Sequence, residues 1–177
     1  VSMASGLNVV PVEAIFQQCF ASDFRTRLVG GAVEPLYLPE TEASFAEIHY
    51  RHDYQRSALH EVAHWCVAGP NRRRLPDYGY WYSPDDRDIT KQTAFFGVEA
   101  KPQALESFFC AAAGIKFTAS IDNLSLKIPQ SLLEQFHNKL RYEQDRLERN
   151  GLPMRAARFS KALHRARRQD CTACPTA

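Results

Sequence analysis

From Pro11 onward the apolar residues Val12, Ile15, Phe16, Cys19 and Phe20 recur at the three-and-four spacing that puts them on one face of a helix. Pro11 suits the first turn of that helix, where its missing amide costs no hydrogen bond. Residues 35–38 and 44–50 read instead as short strands, joined by a turn through Pro39, Glu40, Thr41 and Glu42. Asp53 is placed to cap a helix running to about Ala68, stopped by Gly69-Pro70. A long connection over 71–87 follows, and its aromatic run at 77–82 is compatible with a strand. Asp88 opens another helical stretch, interrupted or kinked near Pro102 and ended by Gly114. Over 129–149 the apolar positions Leu132, Leu133, Phe136, Leu140 and Leu147 mark an amphipathic helix, broken by Gly151-Leu152-Pro153. A last helix spans 155–168, with Phe159 and Leu163 facing inward. The predicted class is α+β: a mostly helical single domain over 1–177 with a small sheet, a frayed start over 1–10 and a flexible tail over 169–177.

Composition narrows this picture. A chain of 177 residues with 24% charged side chains can bury a core of its own and is not the composition of a disordered protein. No apolar run approaches the roughly 18–20 residues of a membrane span. The start shows no basic stretch followed by an apolar one, so no secretory signal is expected. The cysteines, at 19, 66, 110, 171 and 174, are odd in number and mostly widely spaced, which argues against a disulfide framework and for a reducing cytoplasm. The formal net charge of +2 is uneven: residues 1–150 carry −3 and residues 151–177 carry +5. A basic C-terminal segment can face an acidic protein, RNA or a phosphate, or can simply keep the chain soluble.

The sharpest chemical signal is His60-Glu61-Val62-Ala63-His64. Residues four apart lie one helical turn apart on one face, so two imidazoles there can reach one ion at about 2.0–2.2 Å. Glu61 points in a neighbouring direction, suited to handling a proton. A five-residue pattern also permits two solvated histidines. However, Ala58, Leu59, Val62, Ala63, Trp65, Cys66 and Val67 make the helix apolar on most sides, and burying His, Glu and His without partners is costly. Glu99, in the next helical stretch, is the chosen third ligand, with Glu106 in reserve; a salt bridge from Glu99 to Lys101 is the plainer alternative. Two histidines and one carboxylate leave coordination positions open, as catalysis needs. Tyr78, Tyr80, Trp81 and Tyr82 are candidates to line a pocket, at least two of them as core. Asp85, Asp86, Arg87 and Asp88 read as a turn and helix start. Cys171-Thr-Ala-Cys174 is half of a zinc or redox pattern with no second pair. His49, His52, His137 and His164 read as surface or structural.

Taken together, His-Glu-Val-Ala-His-Trp-Cys-Val-Ala-Gly at 60–69, Asp-Tyr-Gly-Tyr-Trp-Tyr-Ser-Pro-Asp at 77–85 and Val-Glu-Ala-Lys-Pro-Gln-Ala-Leu at 98–105 resemble the elongation factor P hydroxylase family. So do Asp122-Asn123-Leu124 and Gly151-Leu152-Pro153 with Ala157-Arg158-Phe159, and the likeness spans roughly residues 12–164. Ser83 and Asp86 depart from the expected loop pattern. The resemblance implies a monooxygenase-type enzyme that hydroxylates the β-lysylated lysine of elongation factor P, using Fe(II) and dioxygen with an unassigned reductant or organic co-substrate. It matches His60, His64 and Glu99 to metal-binding positions, and Glu61 follows as the catalytic group. The modified lysine implied as substrate is long and cationic, so acidic and aromatic groups are expected along its channel: Asp77, Tyr80 and Tyr82. An acidic partner implies basic groups at the mouth: Arg72, Arg73 and Arg74 first, Arg155 and Arg158 second. No membrane or direct nucleic-acid contact is expected. Without the family, the motif suggests a zinc metallopeptidase with Glu61 activating water, or a non-catalytic module whose metal ties two helices together.

Overall fold

The structure is a computed structural model that describes residues 10–80, 87–123 and 126–172. Trp81, Tyr82, Ser83, Asp85, Asp86, Leu124 and Cys174 lie outside the described residues. The described elements are α1 (Val12–Phe20), β1 (Thr26–Ala32), β2 (Leu36–Leu38), β3 (Ala46–Arg51), α2 (Gln55–Val67), α3 (Ile89–Ala113), α4 (Gln130–Asn150) and α5 (Met154–Thr172). Two short 3-10 turns, Arg72–Arg74 and Pro76–Gly79, lie between α2 and α3. The class is mostly helical with a small mixed sheet, as the pattern predicts. None of the described helices is long and apolar enough to cross a membrane.

The sheet has the order β1-β3-β2, with β1 parallel and β2 antiparallel to the central β3. Alternation along β3 turns Ala46, Ile48 and Tyr50 inward, and Leu28 and Tyr37 join them from the neighbouring strands. The sequence pattern does not anticipate β1. Its register with β3 slips between Val29 and Ala32, at Gly30-Gly31, so its inward and outward positions do not alternate cleanly. Both glycines have a reason. A Cβ on Gly30 would sit 2.7 Å from the Tyr50 hydroxyl, and Gly31 takes a φ of +88°.

α1 and α2 pack on this sheet, and α3 and α5 pack on α2. Trp65 of α2 is the centre of an aromatic cluster, with ring centroids of Phe16, Phe20 and Phe24 at 5.4, 4.9 and 5.5 Å. Phe159 of α5 closes it, 5.9 Å from Phe16 and 5.1 Å from Phe109 of α3. A second cluster, Phe95, Phe96, Ala100 and Phe136, joins α3 to α4, and Phe96 stacks on Phe136 at 4.3 Å. These contacts fix α3 between α2, α4 and α5 and set its polar stripe against the histidine face of α2.

Several boundaries differ from the sequence reading. Asp53 does not cap α2; Tyr54 precedes the helix and no side chain caps it. Asp88 does cap α3, accepting a hydrogen bond from the Lys91 amide at 2.8 Å, and Gly114 ends that helix in the left-handed conformation. Between them α3 runs as one element through Pro102, so no interruption occurs there. The first part of the aromatic run is a 3-10 turn rather than a strand, because Asp77, Tyr78 and Gly79 all have positive φ (47°, 57° and 72°). α5 continues to Thr172, past the start of the expected tail.

Candidate metal centre

α2 is buried through Ala58, Leu59, Val62, Ala63, Trp65 and Cys66, with Val67 at its exposed end. The remaining face carries His60 and His64, one turn apart, and their ring Nε2 atoms approach to 3.0 Å. α3 supplies the other half. Glu99 is 1% exposed, and its carboxylate oxygens lie 3.1 Å from His64 Nε2 and 3.5 Å from His60 Nε2. One ligand atom from each of His60, His64 and Glu99 falls within 4.8 Å of the others, the spacing of a set that can share one ion. Glu99, rather than Glu106, is the carboxylate that meets both Nε2 atoms.

Glu106 has a different place. Its Oε2 lies 2.9 Å from His60 Nδ1, and its Oε1 accepts a hydrogen bond from Arg56 at 2.9 Å. A carboxylate at Nδ1 favours hydrogen on that nitrogen and turns Nε2 toward Glu99 and His64. Gln103 does the same for the acid: its Nε2 donates to Glu99 Oε2 at 3.2 Å and to the Ser120 carbonyl at 2.9 Å, while its Oε1 accepts from the Ser120 amide. The sequence reading missed Gln103 and Arg56. The signal for Gln103 was present, since 99, 103 and 106 follow the helical spacing that presents one stripe to α2.

The electrostatics show how strongly the carboxylates and imidazoles act on one another. Burial raises the pKa of Glu99, but the charges of His64 and His60 and hydrogen bonds from His64 and Gln103 hold it well below the usual carboxylate range. Burial lowers that of His60, yet the hydrogen bond to Glu106 and the charges of Glu99, Glu61 and Glu106 together lift it to about 10. Glu61 is half-buried, and burial pushes its carboxyl up against the opposing pull of His60 and His64. Its carboxylate makes no hydrogen bond or ion pair with the described residues, so it is a group beside the histidines with no structural partner.

The residues expected around the channel divide. Tyr80 and Arg72 line a cavity of about 650 Å³ that reaches His64, and the Arg72 guanidinium sits over the Tyr80 ring at 4.3 Å. Asp77 accepts a hydrogen bond from the Tyr37 amide at 2.8 Å, tying β2 to the turn. Arg73 donates to the Ala68 carbonyl at 2.7 Å, and Arg155 donates to the same carbonyl at 2.8 Å while covering Trp65 at 4.4 Å. Arg158 pairs with Asp23. Arg74 is exposed and Tyr78 is buried core. His49 pairs with Glu47, and His52, His137 and His164 are exposed.

A helix bearing two histidines, crossed by a helix bearing a buried carboxylate with its own supporting hydrogen bonds, defines a class: an α+β protein with a candidate two-histidine, one-carboxylate centre. The chain matches the elongation factor P hydroxylase family over residues 15–174, and it belongs to that family. It is also 46% identical, over 152 residues covering 85% of this chain and 84% of the relative, to the elongation factor P lysine hydroxylase of Haemophilus influenzae.

Proposed function

We propose that the convergence of His60, His64 and Glu99 is the reaction centre of an elongation factor P lysine hydroxylase. Family membership makes the chain an oxidoreductase whose protein substrate is elongation factor P. The residue roles are our assignment. The observation that carries it is the meeting of three ligand atoms within 4.8 Å, two from α2 and one from α3.

The donor set fits a divalent metal with open positions, and two imidazoles with one carboxylate suit Fe(II). Bound there, iron would supply the dioxygen chemistry that hydroxylation requires. The protein's own part is positional. Glu106 holds His60 in the tautomer that offers Nε2, and Gln103 orients the Glu99 carboxylate. Glu61, lacking a partner among the described residues, is assigned to hold or pass a proton at its carboxylate beside the site. Tyr80 and Arg72 line the cavity that reaches His64. Asp77 and Tyr82 remain assigned to the substrate side, Arg73 to the docking side, and the β-lysylated lysine is the expected form of the substrate. We place the reaction in the cytoplasm, consistent with the dispersed cysteines.

The test uses anaerobically purified protein. His64→Ala should bind little metal while keeping its helical content. An unfolded variant would be replaced by His64→Gln, and metal retention at wild-type stoichiometry in a folded variant would overturn the assignment. The family decides against a metallopeptidase, for which a Glu61-activated water would be the expected mechanism.

A further inference from the structure

The cavity beside His64 has a charge that the cationic lysine side chain of the substrate does not explain. Besides His64, Tyr78 and Tyr80, it is lined by Arg72, Lys101, Lys139 and Glu143. The Glu143 carboxylate is already held by Arg146 at 2.7 Å. Lys101 makes no hydrogen bond or ion pair with the described residues, and it does not pair with Glu99. Lys139 is bound only to a neutral group, the Gly97 carbonyl at 3.0 Å, and Arg72 only to the Tyr78 carbonyl at 3.0 Å and the Tyr80 ring. Among the described residues, three cations therefore face the cavity, and the one carboxylate in its lining, Glu143, is already engaged by Arg146. A lysine side chain bearing further ammonium groups would be repelled here.

Tyr78 stands in the same wall. Tyr78 is 5% exposed, and its phenol oxygen is buried with no hydrogen-bond partner. Burial, and behind it the charge of Glu61, keeps that phenol protonated and therefore a donor. With that oxygen out of contact with solvent, the rest of the Tyr78 side chain forms the wall. The turn that places it holds Asp77 and Tyr78 in the left-handed region, a conformation sustained by the Asp77–Tyr37 hydrogen bond and by stacking of Tyr78 on Tyr37 at 4.2 Å. The cavity volume of about 650 Å³ is that of a small-molecule site rather than a flat docking face.

We propose that this cavity binds a small carboxylate-bearing molecule beside the metal centre, held by Arg72, Lys101 and Lys139. The role of that molecule as a partner in hydroxylation rests on the metal reading above; its binding does not. The carboxylate could instead belong to an acidic side chain of the protein substrate, so the experiment separates the two sources.

The probe is succinate, titrated by calorimetry into the full chain with and without bound metal, alongside uncharged succinamide and cationic lysinamide. Succinate should bind and the other two should not. Lys101→Gln and Lys139→Gln should each weaken it by about fivefold, in line with the loss of one exposed charge contact. Absence of succinate binding to the folded chain, binding unaffected by both lysine changes, or lysinamide binding that the lysine changes strengthen would each overturn the proposal. So would lysine variants that raise KM for elongation factor P and leave succinate binding unchanged, since the cavity would then receive the partner's side chain. Loss of metal binding in His64→Ala is measured separately, so failure of the metal assignment and failure of this one are distinguishable.

Discussion

At His60 the two ring nitrogens face different partners, and this asymmetry sets the clearest expectations for single residues. Nδ1 meets Glu106 and Nε2 meets Glu99 and His64. Glu106→Gln should therefore leave the ligands in place but weaken metal binding by roughly 10–100-fold, the usual cost of losing such a supporting carboxylate. A titration of metal into chelator-treated protein measures it, and unchanged affinity would remove Glu106 from the site. Glu61→Gln should retain metal at wild-type stoichiometry and lose turnover, measured as hydroxylated product per enzyme; normal turnover would leave Glu61 without its assigned role. At this scale the sequence was informative where a motif has fixed local geometry. His60 and His64 lie one turn apart in any helix, so their pairing needs only α2. Glu99 was chosen from its place in the next helical stretch, and the resemblance added to that choice, because nothing local says which carboxylate of α3 reaches α2. The expected docking arginines show the opposite case. Arg73 and Arg155 both turn back onto the Ala68 carbonyl, a contact across 87 residues for Arg155 that no spacing rule contains. Arg73→Glu would therefore disturb the end of α2, and Arg74→Glu is the cleaner probe of docking.

Among the elements, α5 and the sheet carry the stability that keeps α2 and α3 in register. Phe159 is fully buried against Phe16, Phe20 and Phe109. Phe159→Ala should cost about 3–5 kcal/mol in denaturant unfolding; a loss under 1 kcal/mol would mean that α5 packs loosely. In the sheet, Tyr50 of β3 donates to Glu13 of α1 at 3.1 Å. Burial, then that hydrogen bond and the Glu13 charge, raise the tyrosine to about 12. The unfolded chain releases this proton near its ordinary value of about 10, so the contribution is complete below that pH and is lost as pH rises toward 12. Tyr50→Phe should flatten the fall in stability across that window, and an unchanged slope would count against the linkage. Helices were legible because their apolar stripes repeat over several turns. β1 was not, since Gly30-Gly31 break the alternation to make room for the Tyr50 hydroxyl. The turn at Pro76–Gly79 was misread because aromatic residues suit a strand, whereas the Asp77–Tyr37 hydrogen bond and the Tyr78–Tyr37 stack hold it in left-handed geometry.

For the whole molecule, we read the chain as one cooperative domain, and thermal unfolding followed by fluorescence and by circular dichroism should give one coincident transition; two separated transitions would divide it. A basic surface docking an acidic protein should also make activity on elongation factor P fall as salt rises, with metal content constant. Salt-independent activity would place docking on uncharged surface. The claim on which the rest depends is that His60, His64 and Glu99 together form the hydroxylation centre. Its most direct test is mass spectrometry of the lysylated substrate after incubation in air with iron-loaded protein, wild type beside folded His64→Ala and Glu99→Ala. The expected result is one added oxygen atom on the target lysine with wild type and none with either variant. Hydroxylation by either variant at the wild-type rate would contradict it.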